Sequence, residues 1–230
     1  MSDASGFPRF RAVAEHGLLV EFGDAICDAA HEAVLRLDGA LASAPFPGFR
    51  EAVPAYVNLL VEFDPLVADF RGVQTAVQAL IAYGLGAPRT AAIRAASVCY
   101  DADFAPDLPA VAAAAGLSQE AVIAAHLAGD YRVYMYGFAP GYAYLAGVPA
   151  AIRLPRKPAP VRGVEAGSVI VAGPQCLITT LKMPTGWWIL GRSPTRVLTG
   201  DADRPFLFDV GDRVRFRRID RAEFEAERGL

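Results

Sequence analysis

The chain has 230 residues, 53% of them hydrophobic and 20% charged, with a formal net charge of −3. That composition supplies a core and excludes a disordered chain, and a pI near 5.6 argues against a nucleic-acid partner. No run approaches the roughly 18 apolar residues of a membrane span, and the N-terminal MSDASGFPRF lacks the basic and apolar regions of a signal peptide. Three widely spaced cysteines, Cys27, Cys99 and Cys176, suit a reducing compartment, so the expected location is cytoplasmic.

Two apolar runs lie between residues 8 and 22, with Gly17–Phe22 the clearer strand. Asp24 should open a helix that carries Ile26, Ala30, Ala33, Val34, Leu37 and Leu41 on one face, ended by Pro45 and Pro47. Phe49–Val53 and Ala55–Phe63 read as a hairpin whose second, nearly apolar strand is central. Val73, Val77, Leu80 and Ile81 mark a second helix ending at Gly84 and Gly86. The pattern predicts an α+β sandwich over residues 1–88, with helices on one face of a mainly antiparallel sheet, and a linker at 87–90.

The second domain, residues 89–230, opens with a strand at Ala95–Tyr100. Two short helices follow, one capped by Asp107 with Pro109 in its first turn, the other beginning after Ser118. After a long β-rich stretch come a strand at Phe206–Phe208, a turn at 210–212, and a strand from Arg213 that sets Arg213, Arg215 and Arg217 on one solvated face. A mostly β domain, closed as a compact barrel, is expected.

The β-rich stretch, Tyr131–Arg196, stands apart. Gly and Pro punctuate short apolar runs at 169–172 and 187–190, and aromatics cluster along it. Eight basic residues face one acid, Glu165, giving +7 inside an acidic chain. A cationic, aromatic, loop-rich region is where a small anion should bind. Arg156, Arg162 and Arg192 emerge from Pro and Gly turns, and a guanidinium holds carboxylate or phosphate through two parallel hydrogen bonds. Gln175 is placed to read an amide, while Tyr136, Phe138 and Trp187 are candidate walls.

Other chemistry is sparse. There is no P-loop, no G-x-G-x-x-G after a strand and no G-x-S-x-G elbow. Cys27 and His31 share a helix face without a third ligand nearby, so no metal site is expected. Cys176 reads as a small buried hydrophobe before it reads as a nucleophile. His126 is the weak candidate for a catalytic group, with a structural role the simpler reading.

Several motifs occur together in order: VPAYVNLLVEFDP (53–65), VCYDADFAPDLPAVAAAAGLS (98–118), G-F-x-P-G-[FY]-x-Y-L (137–145), Pro155-Arg156, AGSV (166–169), GRSPTR (191–196) and GDRVRF (211–216). With them the chain resembles the family of B-type subunits of 5-oxoprolinase, also called allophanate hydrolase subunit 1. The same module forms the C and D subdomains of the carboxyltransferase region in urea carboxylases, and the family includes a sporulation-kinase inhibitor. The resemblance implies a ferredoxin-like α/β sandwich followed by a cyclophilin-like β-barrel. It implies a partner, the C-type subunit of 5-oxoprolinase or allophanate hydrolase subunit 2, and ATP-dependent hydrolysis of a small anionic amide or lactam, with ATP bound at the level of the complex. The alternatives it carries are carboxyl transfer from carboxybiotin in a urea-carboxylase-like system, and a non-catalytic regulatory role like that of the kinase inhibitor.

Local departures accompany the resemblance. Val161 stands at the family's second Pro-Arg arginine, with Arg162 one place later and Glu165 in place of a proline. Gln175-Cys-Leu-Ile-Thr-Thr180 and Pro184-Thr-Gly-Trp187 also differ from the family pattern. In a regular strand, the displacement of one residue would turn Arg162 to the opposite face.

Overall fold

The structure, a computed structural model, describes residues 6–86 and 90–229. The chain divides between Thr90 and Ala91 into two compact units. Residues 87–89 of the expected linker lie outside the described residues.

The first unit runs β1 (Arg9–Val13), β2 (Gly17–Glu21), α1 (Asp28–Ser43), β3 (Phe49–Ala55), β4 (Asn58–Phe63) and α2 (Phe70–Tyr83). Its sheet has the order β1-β2-β4-β3 and is antiparallel throughout. Alternate residues of β2 and β4 (Leu18, Val20, Leu59, Val61, Phe63) pack against Val34, Leu37 and Leu41 of α1 and Val73 and Val77 of α2. Both helices therefore cover one face, and each fully buried side chain contributes about 1.5–3 kcal/mol. α1 begins four residues later than Asp24 suggested. The Asp24 carboxylate faces Arg9 at 3.5 Å instead, Cys27 occupies the N-cap in an extended conformation, and Ile26 stays 46% exposed.

The second unit contains β5 (Ile93–Cys99), α3 (Leu108–Ala115), α4 (Gln119–Leu127), β6 (Tyr131–Tyr136), β7 (Ala143–Ala146), β8 (Val161–Val164), β9 (Ser168–Ala172), β10 (Gln175–Ile178), β11 (Met183–Thr185), β12 (Trp188–Arg192), β13 (Arg213–Ile219) and α5 (Arg221–Arg228). Seven of these strands close a barrel in the order β10-β7-β6-β13-β5-β12-β9, and β8 pairs with β11 as a separate ribbon. β13 joins β5 in parallel, bringing the end of the chain beside the first strand of the unit. Inward residues such as Val133, Leu145, Val169, Val171, Leu190 and Phe216 fill the barrel, with α3 and α4 adding Val111, Val122 and Ile123.

Phe206–Phe208 is not the expected strand. Pro205 has no N–H to extend a ladder, and a single bridge, Leu198 to Phe206, is all that forms. α5 was not anticipated, although Asp220 and Glu223 form a reciprocal capping box at its start. Arg213, Arg215 and Arg217 do share one face, paired with Asp130, Glu223 and Glu227. Among the described residues no single helix is long and apolar enough to cross a membrane.

Candidate functional site

The outward faces of β7, β9, β10 and β12 carry a second apolar layer that includes Tyr142, Ile170, Leu177, Trp187 and Ile189, with Val164 of the ribbon packed on it. Between barrel wall and ribbon lies a cavity of about 160 Å³. Tyr142 and Tyr144, two apart on and beside β7, point into it together with Trp187 and Phe138. Tyr144 meets Trp187 edge to face, centroids 5.9 Å apart, and the Tyr142 hydroxyl points at Met183 Sδ, 3.4 Å away. Burial raises both tyrosine pKa values, Arg156 opposing the shift at Tyr144, so both rings are neutral phenols near neutral pH. Phe138, 76% exposed, stands at the mouth with φ 69°, a conformation that costs a non-glycine residue about 1–2 kcal/mol. The loop that bears it closes through Gly141, where a Cβ would lie 2.8 Å from Thr180 Cγ2.

Arg156 brings charge to this cavity. Its guanidinium carbon lies 5.7 Å from the Trp187 ring centroid, within cation–π range, and no carboxylate among the described residues pairs with it. The segment on either side is fixed. Trp188 Nε1 donates to Pro155 O at 2.7 Å, Lys157 N–H donates to Gly186 O at 2.7 Å, and Lys157 Nζ reaches Asp107 at 2.6 Å. Trp188 is thus an anchor, and Arg156 projects from a rigid support.

A second cavity, about 420 Å³, adjoins the first across Thr179, which lines both. The Thr179 hydroxyl donates to Glu165 O at 2.9 Å and accepts the Ser168 N–H at 2.9 Å. Arg192 lines this second cavity, with Nε and Nη2 donating to Ala166 O at 3.3 and 3.2 Å. Burial lowers its pKa; Arg228 and Arg221 act in the same sense, and Glu165 opposes them.

Of the residues singled out from sequence, the structure joins Arg156, Phe138 and Trp187 in one cavity and puts Arg192 in the other. Tyr136 lies in neither: it stacks on Phe206 at 4.5 Å and donates to Phe208 O at 2.8 Å. Gln175 begins β10, in register with Ala172 and Ala146, away from both cavities. Arg162 is exposed on β8 and lines neither. Gly163 at φ +68° and a register shift in β11 break the pleat there, so strict alternation does not govern where Arg162 points. His126 is fully buried, its Nδ1 2.7 Å from Tyr100 Oη and its Nε2 3.7 Å from Cys176 Sγ. Burial pushes its pKa down to about 3 and that of Cys176 up, so in the folded barrel both are neutral and away from either cavity. Tyr142 and Tyr144 belong to the aromatic cluster of the sequence without being singled out there as walls, and Thr179 carries no sequence signal of its own. The i, i+2 spacing of the two tyrosines was the available signal.

An antiparallel α+β unit followed by a closed barrel with a flanking ribbon defines the class. The profile described as Carboxyltransferase domain, subdomain C and D, matches residues 8–208, and the chain belongs to that family. It is 34% identical over 225 residues to the B-type subunit of 5-oxoprolinase from Bacillus subtilis (strain 168), covering 92% of this chain and 93% of the relative. It is 39% identical over 119 residues to the B-type 5-oxoprolinase subunit of Escherichia coli O157:H7, covering 52% of this chain and 55% of that one. The solved structure of TTHA0988 superposes with a TM-score of 0.78 at 41% identity over 89% of this chain, which spans only 40% of the TTHA0988 chain. The Kluyveromyces lactis urea carboxylase shares the fold at 15% identity, TM-score 0.76, over 94% of this chain and 22% of its own.

Proposed function

We propose that this chain is one subunit of a heteromeric enzyme that hydrolyses a small anionic lactam or amide at the expense of ATP, completed by a C-type partner (allophanate hydrolase subunit 2). The observation that carries this reading is Arg156, held over Trp187 at a small aromatic cavity with no counter-ion among the described residues. A guanidinium so placed takes a carboxylate bidentately, while Tyr142, Tyr144 and Trp187 flank a flat ring. The names of its relatives, B-type subunits of 5-oxoprolinase, support the same chemistry. ATP acts at the level of the complex, since this sequence offers no phosphate-binding glycine motif of the common kinds.

The strand order β1-β2-β4-β3 supports reading the first unit as a ferredoxin-like sandwich whose first strand takes the place of the usual last one. We read the barrel as cyclophilin-like, the domain boundary as lying near residue 88, and the setting as cytoplasmic, in keeping with three free cysteines. The second functional reading, a carboxybiotin-dependent carboxyltransferase component, is favoured by the family's own description.

Co-expression with a homologue of the C-type partner, followed by assay of ATP turnover with 5-oxoproline, urea or allophanate, separates these readings. Lactam-dependent ATP hydrolysis is expected, with Arg156→Ala lowering kcat/KM by about tenfold or more at an unchanged melting temperature. Full turnover by Arg156→Ala would sink the site assignment. Turnover only with a biotinylated carrier and urea would move the assignment to the carboxyltransferase reading.

A further inference from the structure

The second cavity has a composition that the lactam site does not explain. Residues 191–196, Gly-Arg-Ser-Pro-Thr-Arg, supply four of its polar side chains within five positions, and α5 closes it with Phe224 and Arg228. Gly191 seats the loop against the barrel: a Cβ there would stand 2.7 Å from Val98 Cγ1 and 2.8 Å from Cys99 O. The Ser193 N–H donates to Gly167 O at 2.7 Å.

The donors of this loop are largely unspent. Ser193 Oγ accepts the Thr195 N–H at 3.2 Å, and Thr195 Oγ1 accepts the Ser97 N–H at 3.3 Å. Both hydroxyl protons are therefore left to serve another acceptor, with none given to them among the described residues. Arg196 has no ion pair or hydrogen bond among the described residues. Among the described residues Arg228 has only Glu225, at 4.0 Å. Arg192 spends Nε and Nη2 on Ala166 O and lies 3.9 Å from Glu165, which leaves Nη1. The single acid in the lining, Glu165, is engaged by Lys182.

We propose that this cavity binds a phosphate dianion, free or as the phosphoryl group of a small molecule, through Arg196, Arg228, Arg192 and the hydroxyls of Ser193 and Thr195. With Lys182 and Glu225 counted beside the three guanidinium groups and Glu165, four cations meet two carboxylates and leave two positive charges, which a dianion balances and a monocarboxylate does not. Several convergent N–H and O–H donors match the three oxygens of a phosphoryl group. The cavity volume leaves space for more than inorganic phosphate alone. This site does not depend on the lactam reading, since none of its arginines lines the aromatic cavity.

The test is titration of the full chain with inorganic phosphate at constant ionic strength, read by calorimetry and by 31P line width, with chloride as the competitor. Saturable binding that chloride does not displace is expected. Arg196→Ala and Arg228→Ala should each weaken it about tenfold, while Arg204→Ala, an exposed control paired with Asp209 at 3.9 Å, leaves it unchanged. Glu165→Gln should tighten binding several-fold by removing the acid that lines the cavity, a gain that a structural role would not produce. Binding that does not saturate, that chloride displaces, or that is indifferent to Arg196→Ala would overturn the proposal, as would weaker binding by Glu165→Gln.

Discussion

Lys157 Nζ stands 2.6 Å from Asp107 Oδ2, and the same oxygen accepts the Ile189 N–H at 2.7 Å. Asp107, at the N-cap of α3, makes no side-chain cap bond; its carboxylate ties the segment bearing Arg156 to β12. The two side chains are only 9% and 18% exposed, so removing one partner strands a charge. Asp107→Ala should cost about 3–5 kcal/mol in urea unfolding. Lys157→Met, which keeps the apolar stem and leaves Asp107 its Ile189 N–H, should cost about 1–2 kcal/mol. In the assembled enzyme Lys157→Met should raise KM more than it lowers kcat, because it loosens Arg156 without removing it. A loss below 1 kcal/mol for Asp107→Ala, a limit set by the usual worth of exposed pairs, would refute the anchoring role.

His126 sets a pH dependence of stability. Folded, it titrates at about 3 because burial disfavours the imidazolium; the ordinary value is 6.5. Between these values the unfolded chain binds a proton that the folded chain refuses, so stability falls as pH drops below about 6.5. At roughly 1.4 kcal/mol per unit, moving from pH 7 to 4.5 should remove on the order of 3 kcal/mol. Urea midpoints of wild type and His126→Gln over that range check this. The carboxylates whose folded pKa values are lowered, Asp64, Glu120 and Glu165, respond alike in both proteins. The wild-type curve should be the steeper, and parallel curves would refute the assignment.

The sandwich was legible because its signals are local. The nearly apolar run of β4 and the Gly84 stop of α2 both follow from residues a few positions apart. Apolar runs also located β9 and β12, and composition located Arg156 beside its aromatic neighbours. Pairing between distant segments was not legible: no periodicity says that β13 lies parallel to β5, more than a hundred residues earlier. The start of α1 was misread because Asp24 looks like a cap, while its carboxylate is drawn to Arg9. The site was read as one pocket because its cationic residues are contiguous in sequence. Thr179 lies between them in space, the Tyr136 ring and hydroxyl are engaged by Phe206 and Phe208, and Gln175 lines neither cavity.

Gly191 offers a steric test of the loop behind the second cavity. A methyl there would press on Val98 Cγ1 and on the carbonyl of Cys99, and the backbone oxygen cannot rotate away. Gly191→Ala should destabilise the chain by about 1–3 kcal/mol. Gly173→Ala meets nothing within 4 Å, and only its φ of +53° is unfavourable, so it should cost about 1–2 kcal/mol. The two variants also differ in reach. Gly191→Ala should shift the backbone amide resonances of 98–99 and 191–196, whereas Gly173→Ala should perturb only its own hairpin. Equal and purely local shifts would show that β5 and β12 yield more readily than the close approach implies.

Phe224 is what holds α5 against the barrel. It is buried with Cys99, Phe104 and Ile219, its ring 4.5 Å from that of Phe104, whereas Glu223 and Glu225 on the same helix are exposed. Arg221 lies over the Phe104 ring, 4.1 Å from its centroid, and adds a modest cation–π contribution. Phe224→Ala should therefore cost about 3–5 kcal/mol if the helix stays in place. A smaller cost would mean that α5 detaches instead of leaving a cavity. Amide exchange over 221–228 distinguishes the two: retained protection with a large stability loss indicates a cavity, and fast exchange with a small loss indicates local detachment. In the second case Arg228 leaves with the helix, and phosphate affinity should fall to the level of Arg228→Ala. Unchanged stability together with unchanged protection would mean that Phe224 is not the anchor.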